Sequence, residues 1–227
     1  APRAPSTVLR YMAVLSHAFT VAVKEWQWLD DSPMRKVTKP KEPRGRVRHL
    51  DDAEREALLK ACKSGKSTDL YPAVVLALST GARLMELMSL RWPQVDLQRR
   101  VITLTETKNG EIRALPLTGK ALELVTARAK VRRIDTDLLF PSSKDPKKPK
   151  DLHGPFSTAL KKAGIQDFRW HDLRHTTASY LAMNGATLAE IAEVLGHKTL
   201  AMVKRYAHLS NAHTVRVIES MNAKFIG

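Results

Sequence analysis

Val95-Asp-Leu-Gln-Arg-Arg-Val-Ile-Thr-Leu-Thr-Glu-Thr-Lys-Asn-Gly-Glu-Ile-Arg-Ala-Leu-Pro-Leu117 breaks the rhythm of the chain around it. Val101, Thr103 and Leu104 lead into Lys108-Asn109-Gly110, and Ile112, Leu115 and Leu117 follow. Asn-Gly between two such runs is a strong short-range hairpin signal, because both residues tolerate the positive φ that a tight turn of strand-compatible twist needs. On either side the apolar spacing returns to three and four, the helical period.

Working outward, Leu70–Thr80 is apolar enough for a buried helix, broken by Gly81, and Arg83–Leu90 forms a further short one. Asp51 or Asp52 can cap a helix running to about Lys63, with Ala53, Ala57, Leu58 and Ala61 on its inner side. Downstream, helices are expected at about 118–130, 151–163, 171–184, 187–195, 199–206 and 211–223. Gly164, Gly185 and Gly196 stand at helix ends, where a left-handed terminal residue is wanted. Upstream, Val8, Met12, Leu15, Phe19, Ala22 and Trp26 predict an amphipathic helix over 7–28. The predicted fold is mainly α with a small antiparallel β-sheet, an α+β arrangement preceded by a helical fragment.

Composition narrows the function classes. Thirty-eight Lys and Arg against 23 Asp and Glu leave a net charge of +15, which favours a polyanionic partner, nucleic acid above all. Between Arg35 and Arg48 the sequence carries Lys36, Lys39, Lys41, Arg44 and Arg46 among prolines and Gly45, opposed only by Glu42. Such a segment reads as an extended basic linker able to lie along phosphates. The single cysteine, Cys62, excludes an internal disulfide framework and any cysteine-rich zinc module. No window approaches about 18 uninterrupted apolar residues, and Ala1–Thr7 lack the apolar core of a secretory signal. A cytoplasmic or nucleoid location, with no membrane partner, is the expectation.

Two motifs fail on inspection. Cys62-Lys-Ser-Gly-Lys-Ser-Thr68 ends like a phosphate-binding loop, but Lys60 occupies the position of the earlier glycine. His171 and His175 stand four apart like a zinc-peptidase pair, yet Asp172 replaces the general-base glutamate and Arg174 beside both imidazoles would repel a dication. What survives is a set of polar residues in places a core would not choose. Arg83 sits just past Gly81 at the start of an apolar helix, with Glu86 three residues on. Lys108 stands at a hairpin tip; His171, Arg174 and His175 share one helix face; His197 follows a helix-ending glycine; Tyr206 stands beside Lys204 and Arg205. Each has a duller reading alone, as an ion pair, a solvated lysine, a cap or a packing residue.

Together these blocks resemble the tyrosine recombinases, or phage-type integrases. The resemblance rests on Thr80-Gly-Ala-Arg83 through Leu90-Arg-Trp92, Thr107-Lys-Asn-Gly110 with Arg113–Leu117, His171-Asp-Leu-Arg-His175, Leu195-Gly-His197 and Tyr206, all in the family's order. It covers about 47–227, while 7–43, with Trp26-Gln-Trp28-Leu29 and Ser32-Pro33, resembles only the last part of the family's helical core-binding domain. The expected organisation is therefore the end of a truncated core-binding domain at 1–34, a basic linker at 35–48 and a catalytic domain at 49–227. The chain is expected to lack N-terminal residues of a longer protein.

The resemblance implies that Tyr206 attacks a DNA phosphodiester, forming a 3′-phosphotyrosine without metal or ATP. Arg83 and Arg174 are expected to clamp the phosphate, since a guanidinium binds two oxygens and stays charged. Lys108 is expected to protonate the leaving 5′-oxygen, His171 to relieve Tyr206 of its proton and His197 to donate to a non-bridging oxygen. Glu86 and His175 are expected to support the clamp. Lys41, Arg44, Arg46, Arg48 and Arg205 are the candidate contacts to double-stranded DNA at specific recombination sites. The tail 211–227, with Val215, Val217, Ile218, Met221 and Phe225 on one side, is expected to dock on a neighbouring subunit in a homotetramer. Two other functions share these features: a type IB topoisomerase, revealed by relaxation of any supercoiled plasmid, and a DNA-binding protein without catalysis.

Overall fold

A computed structural model describes residues 2–41, 46–105 and 112–226. The chain divides into two compact units, Ala1–Arg46 and Val47–Gly227.

The first unit is built on helix α1 (Pro5–Lys24), which opens with proline at its first position, where a missing N–H costs nothing. It buries Met12 and Ala22 and leaves Tyr11, Val14 and Leu15 exposed. The helix predicted over 7–28 stops at Lys24; beyond it Gln27 takes a left-handed φ of 53°, and the flanking Trp26 and Trp28 pack ring against ring with centroids 4.5 Å apart. At twenty residues and a mean hydropathy of 1.2, α1 is long and apolar enough, by length and composition only, to cross a bilayer. The expectation that no window comes near such a span holds only for uninterrupted runs, since Arg10, Ser16 and His17 interrupt this one. A short 3-10 turn follows at Pro33–Lys36.

In the second unit, α2 (Asp52–Lys63) begins with a reciprocal cap: Glu54 N–H donates to the Asp51 carboxylate at 2.8 Å, and Asp51 N–H donates to Glu54 at 3.3 Å. Helix α3 (Leu70–Thr80) is apolar on nearly every side and is correspondingly central, packed against α2, α5 and α7. Helix α4 (Leu84–Met88) follows, then three short antiparallel strands in the order β1 (Val95–Asp96), β2 (Val101–Leu104) and β3 (Arg113–Pro116). The β2–β3 register pairs Thr103 with Ala114 and Leu104 with Arg113, as an antiparallel hairpin demands. Its Lys108-Asn109-Gly110 tip lies outside the described residues. Helices α5 (Gly119–Ala129), α6 (His153–Lys162), α7 (Trp170–Met183), α8 (Leu188–Leu195) and α9 (Asn211–Phe225) complete the domain. The fold is mostly helical with one small antiparallel sheet, as the periodicity predicts.

The segment that carries Tyr206 departs from expectation. Residues 199–206, read as a helix, are two 3-10 pieces, Leu200–Met202 and Lys204–Ser210. The i→i+3 bonds Met202 to Thr199, Val203 to Leu200 and Tyr206 to Val203 wind this segment tightly. The winding turns Val203 and Tyr206 into a second apolar cluster with Ala178, Ala182, Ile191, Ala192 and Leu195.

Candidate active site

Two glycines bring three helix ends together. Gly81 closes α3 at φ 63°, and a Cβ there would lie 2.5 Å from Leu195 Cδ2, so only glycine permits α3 and α8 to meet this closely. Gly196 closes α8 at φ 62°, where a Cβ would lie 2.9 Å from both Cδ and Nη1 of Arg113. The last carbonyls of α8 and the Gly81 carbonyl therefore face a common space, and helix carbonyl ends attract cations.

Arginines fill that space. Arg174, on the inner side of α7 and 3 % exposed, donates to the Gly81 carbonyl at 2.8 Å and to the Leu195 carbonyl. Arg113, at the first position of β3, donates to the same Leu195 carbonyl and, at 2.9 Å, to Glu86. Arg83, just before α4, pairs with Glu86 at 2.6 Å, while its backbone N–H donates to the other Glu86 oxygen at 2.8 Å. Burial alone would raise the Glu86 pKa, but the Arg83 amide and the two guanidiniums hold it below its ordinary value. Burial, followed by the nearby Arg83 and Arg113 cations, pushes Arg174 down to about 9. It remains charged at neutral pH. Among the described residues three guanidiniums face one carboxylate, so the pocket carries net positive charge and favours an anion.

Histidines line its edge. His197 follows Gly196, and its buried Nδ1 has no hydrogen-bond partner among the described residues. Burial and then Arg174, Arg83 and Arg113 lower its pKa to about 4, so the ring is neutral at pH 7. His171 lies at the exposed rim of α7. Partial burial and the Arg174 and Arg83 cations lower its pKa too. Its ring meets that of His175 edge-on at 5.2 Å.

Tyr206 is 2 % exposed, and burial raises its phenol pKa against the pull of Arg205 and Arg174. Its hydroxyl is hydrogen-bonded to Nδ1 of His175, not to His171. Burial and the His171 ring lower His175 to about 4. The geometry thus departs from the expectation that His171 serves the tyrosine while His175 supports the clamp. On α7, positions 171 and 175 share a face, but 174 points about 100° away from 175. Arg174 turns to the helix ends and His175 turns to the 3-10 segment.

The remaining expected residues are scattered. Lys108 and Arg44 lie outside the described residues. Lys41 and Arg205 are exposed, and Arg46 is half-buried. Arg48 is engaged within its own unit, paired with Glu54 and resting 5.5 Å over the Phe168 ring. Arg113 is the residue that sequence reasoning missed as a member of the site. Its signal was the strand period: Arg113 and Leu115 share a face, and Leu115 is buried.

The family model described as the phage integrase family matches residues 48–213. An integrase of Salmonella phage P22 is 31% identical over 238 residues, covering 99% of this chain and 59% of that protein. A shufflon-specific DNA recombinase of Escherichia coli is 32% identical over 221 residues, covering 92% and 52% respectively. The chain therefore spans between half and three fifths of the length of these relatives. Among solved structures, the catalytic domain of bacteriophage HP1 integrase superposes with a TM-score of 0.61 at 28% identity, covering 80% of this chain and 96% of that one.

Proposed function

The chain belongs to the phage integrase family, and from that premise we propose that it cuts and rejoins DNA at specific sites through a phosphotyrosine formed by Tyr206. The observation that carries this reading is the guanidinium cluster of Arg83, Arg113 and Arg174, only partly balanced by Glu86, with a buried tyrosine hydrogen-bonded to His175 of the helix that supplies Arg174.

In this reaction the Tyr206 oxygen attacks phosphorus and the bond to the 5′-oxygen breaks. The five-coordinate intermediate carries more charge on its equatorial oxygens than the ground state does, so fixed cations stabilise it selectively. Arg174 has two of its five N–H groups committed to carbonyls and keeps the others for phosphate oxygens. Arg83, bonded to Glu86, adds a second guanidinium. His197, neutral and next to both, donates from a ring nitrogen to a non-bridging oxygen. His171 contacts the phosphate from the rim. Lys108, carried by the β2–β3 hairpin, delivers the proton to the leaving 5′-oxygen. The arginines supply the charge that a metal ion supplies elsewhere, and the phosphotyrosine conserves the bond energy, so neither metal nor ATP enters the scheme.

The partner is double-stranded DNA. Residues 1–34 act as the end of a core-binding domain and 35–48 as a basic strap, with Lys41, Arg44, Arg46, Arg48 and Arg205 along phosphates. On α9, Val215, Val217, Ile218, Met221 and Phe225 are 43–74 % exposed, which supports docking of this tail on a neighbouring subunit in a tetramer on DNA.

The test is incubation with nicked duplexes, selected for covalent capture from a random-sequence pool, followed by denaturing gel electrophoresis. A protein–DNA adduct formed by the wild type and absent in Tyr206→Phe is the expected result. An adduct that persists in Tyr206→Phe assigns the nucleophile elsewhere.

A further inference from the structure

The neutral phenol of Tyr206 has one proton to give, and one ring nitrogen stands within hydrogen-bonding reach of it. Its hydroxyl is hydrogen-bonded to Nδ1 of His175. Burial keeps the phenol protonated and the imidazole neutral, and in the tautomer that carries its ring proton on Nε2, Nδ1 accepts from the phenol. The other charged groups acting on this pair are Asp172 and Arg174 on α7 and Arg205 beside the tyrosine. The arginines can only donate, and one Asp172 oxygen accepts from the Arg169 N–H at 2.8 Å. His171, the other imidazole of the face, is the next ring along, toward the cation cluster.

Resting on the reading of Tyr206 as nucleophile, we propose that His175, not His171, is the catalytic base that takes the phenolic proton during attack. The lone pair of Oη forms the bond to phosphorus as the Oη–H bond breaks and its proton passes to Nδ1. The phosphorus–O5′ bond breaks in the same step, and O5′ receives a proton from Lys108. The products are the phosphotyrosine, a 5′-hydroxyl, an imidazolium and a neutral lysine, and religation reverses each transfer. The imidazolium is formed only when the phosphate has brought negative charge into the pocket, with Asp172 already favouring it. At rest the ring stays neutral and ready to accept.

The experiment uses the full chain and the covalently captured nicked duplexes, with adduct formation followed in single turnover from pH 6 to pH 9.5 (~0.5-unit steps) for the wild type, His175→Gln and His171→Gln. Glutamine retains an oxygen that accepts the tyrosine hydrogen bond but takes no proton, so it separates the base from a mere anchor. For His175→Gln we expect a rate at least about 100-fold lower near pH 7, with the deficit narrowing as pH rises and hydroxide replaces the base. For His171→Gln the deficit is expected to be independent of pH. A His175→Gln rate within about threefold of wild type, or a deficit flat across the range, overturns the assignment. His175→Asn is the second variant if glutamine lowers the melting temperature, and the same pH criterion applies to it. Absence of any wild-type adduct, or its persistence in Tyr206→Phe, removes the proposal by removing the reading beneath it, an outcome distinct from a normal His175→Gln.

Discussion

Replacing Glu86 by glutamine tests whether the guanidinium cluster is built for an anion it does not itself contain. The carboxylate is 6 % exposed and, among the described residues, is the one acidic group bonded to Arg83 and Arg113. Removing one partner of a buried ion pair costs about 3–5 kcal/mol. A glutamine oxygen keeps one hydrogen bond of about 1 kcal/mol, and Arg83, a quarter exposed, recovers some hydration. The net loss is about 3 kcal/mol, and at about 2–4 °C per kcal/mol for a domain of this size the melting temperature falls by about 6–12 °C. Sulfate should then discriminate. A site with three guanidiniums and no carboxylate binds it more tightly than the wild type, and binding at a hundredfold excess over Kd restores about 2.7 kcal/mol. The pH dependence has a fixed sign. Glu86 has a depressed pKa in the folded state, so its stabilisation is present above the unfolded value of about 4.3 and disappears as pH falls through the folded value. The gap between wild type and Glu86→Gln should therefore close below about pH 4. Thermal melts at several sulfate concentrations and pH values measure all three effects. Melting temperatures within about 2 °C of each other at pH 7, or equal sulfate responses, would refute the reasoning.

Gly196→Ala places a side chain in left-handed backbone, a strain of about 1–2 kcal/mol, and pushes on Arg113. Thermal melts should fall by about 2–8 °C and adduct formation should drop with them. Arg113→Lys substitutes a point charge for a fork that reaches Glu86 and the Leu195 carbonyl together. Stopped-time adduct assays should show a loss of about tenfold or more, with affinity for unreacted DNA nearly unchanged. His175 and His197, both depressed to about 4, take up protons on unfolding, so stability should decline as pH falls from about 6.5 toward 4. The double variant His175→Gln/His197→Gln should flatten that decline in pH-dependent melts.

Much of the fold is legible along the chain because it is local. The alternation around Asn109-Gly110 gave the hairpin, and the unbroken apolar run at 70–80 gave the central helix. Tyr206, the proposed nucleophile, stood out only through its place after Arg83, Lys108, His171, Arg174 and His197. Two features were illegible for a common reason. Arg113 meets Glu86 and Leu195, residues 27 and 82 positions away, so its burial depends on how β3 lies against two helix ends. Which of His171 and His175 reaches Tyr206 depends on the 3-10 winding of 200–210, and helical spacing treats the two as equivalent. The positions of residues on one helix face are fixed by local geometry, whereas the partner each one meets is fixed by packing.

The way Arg174 is satisfied explains how a buried cation can stay available. Desolvating a guanidinium is expensive and is usually offset by a carboxylate. Here the compensation comes from the Gly81 and Leu195 carbonyls at the negative ends of α3 and α8. Carbonyl dipoles lower the cost of burial but carry no net charge, so they leave the field of Arg174 intact at the open side of the pocket. A second acidic residue in their place would hold the arginine as firmly but cancel one more positive charge, weakening the pocket's attraction for an anion. The two glycines are what make the dipolar solution possible, because their left-handed turns expose those carbonyls and let α3 approach α8. The electrostatics of the site thus follow from backbone conformation at Gly81 and Gly196 as much as from the arginines themselves.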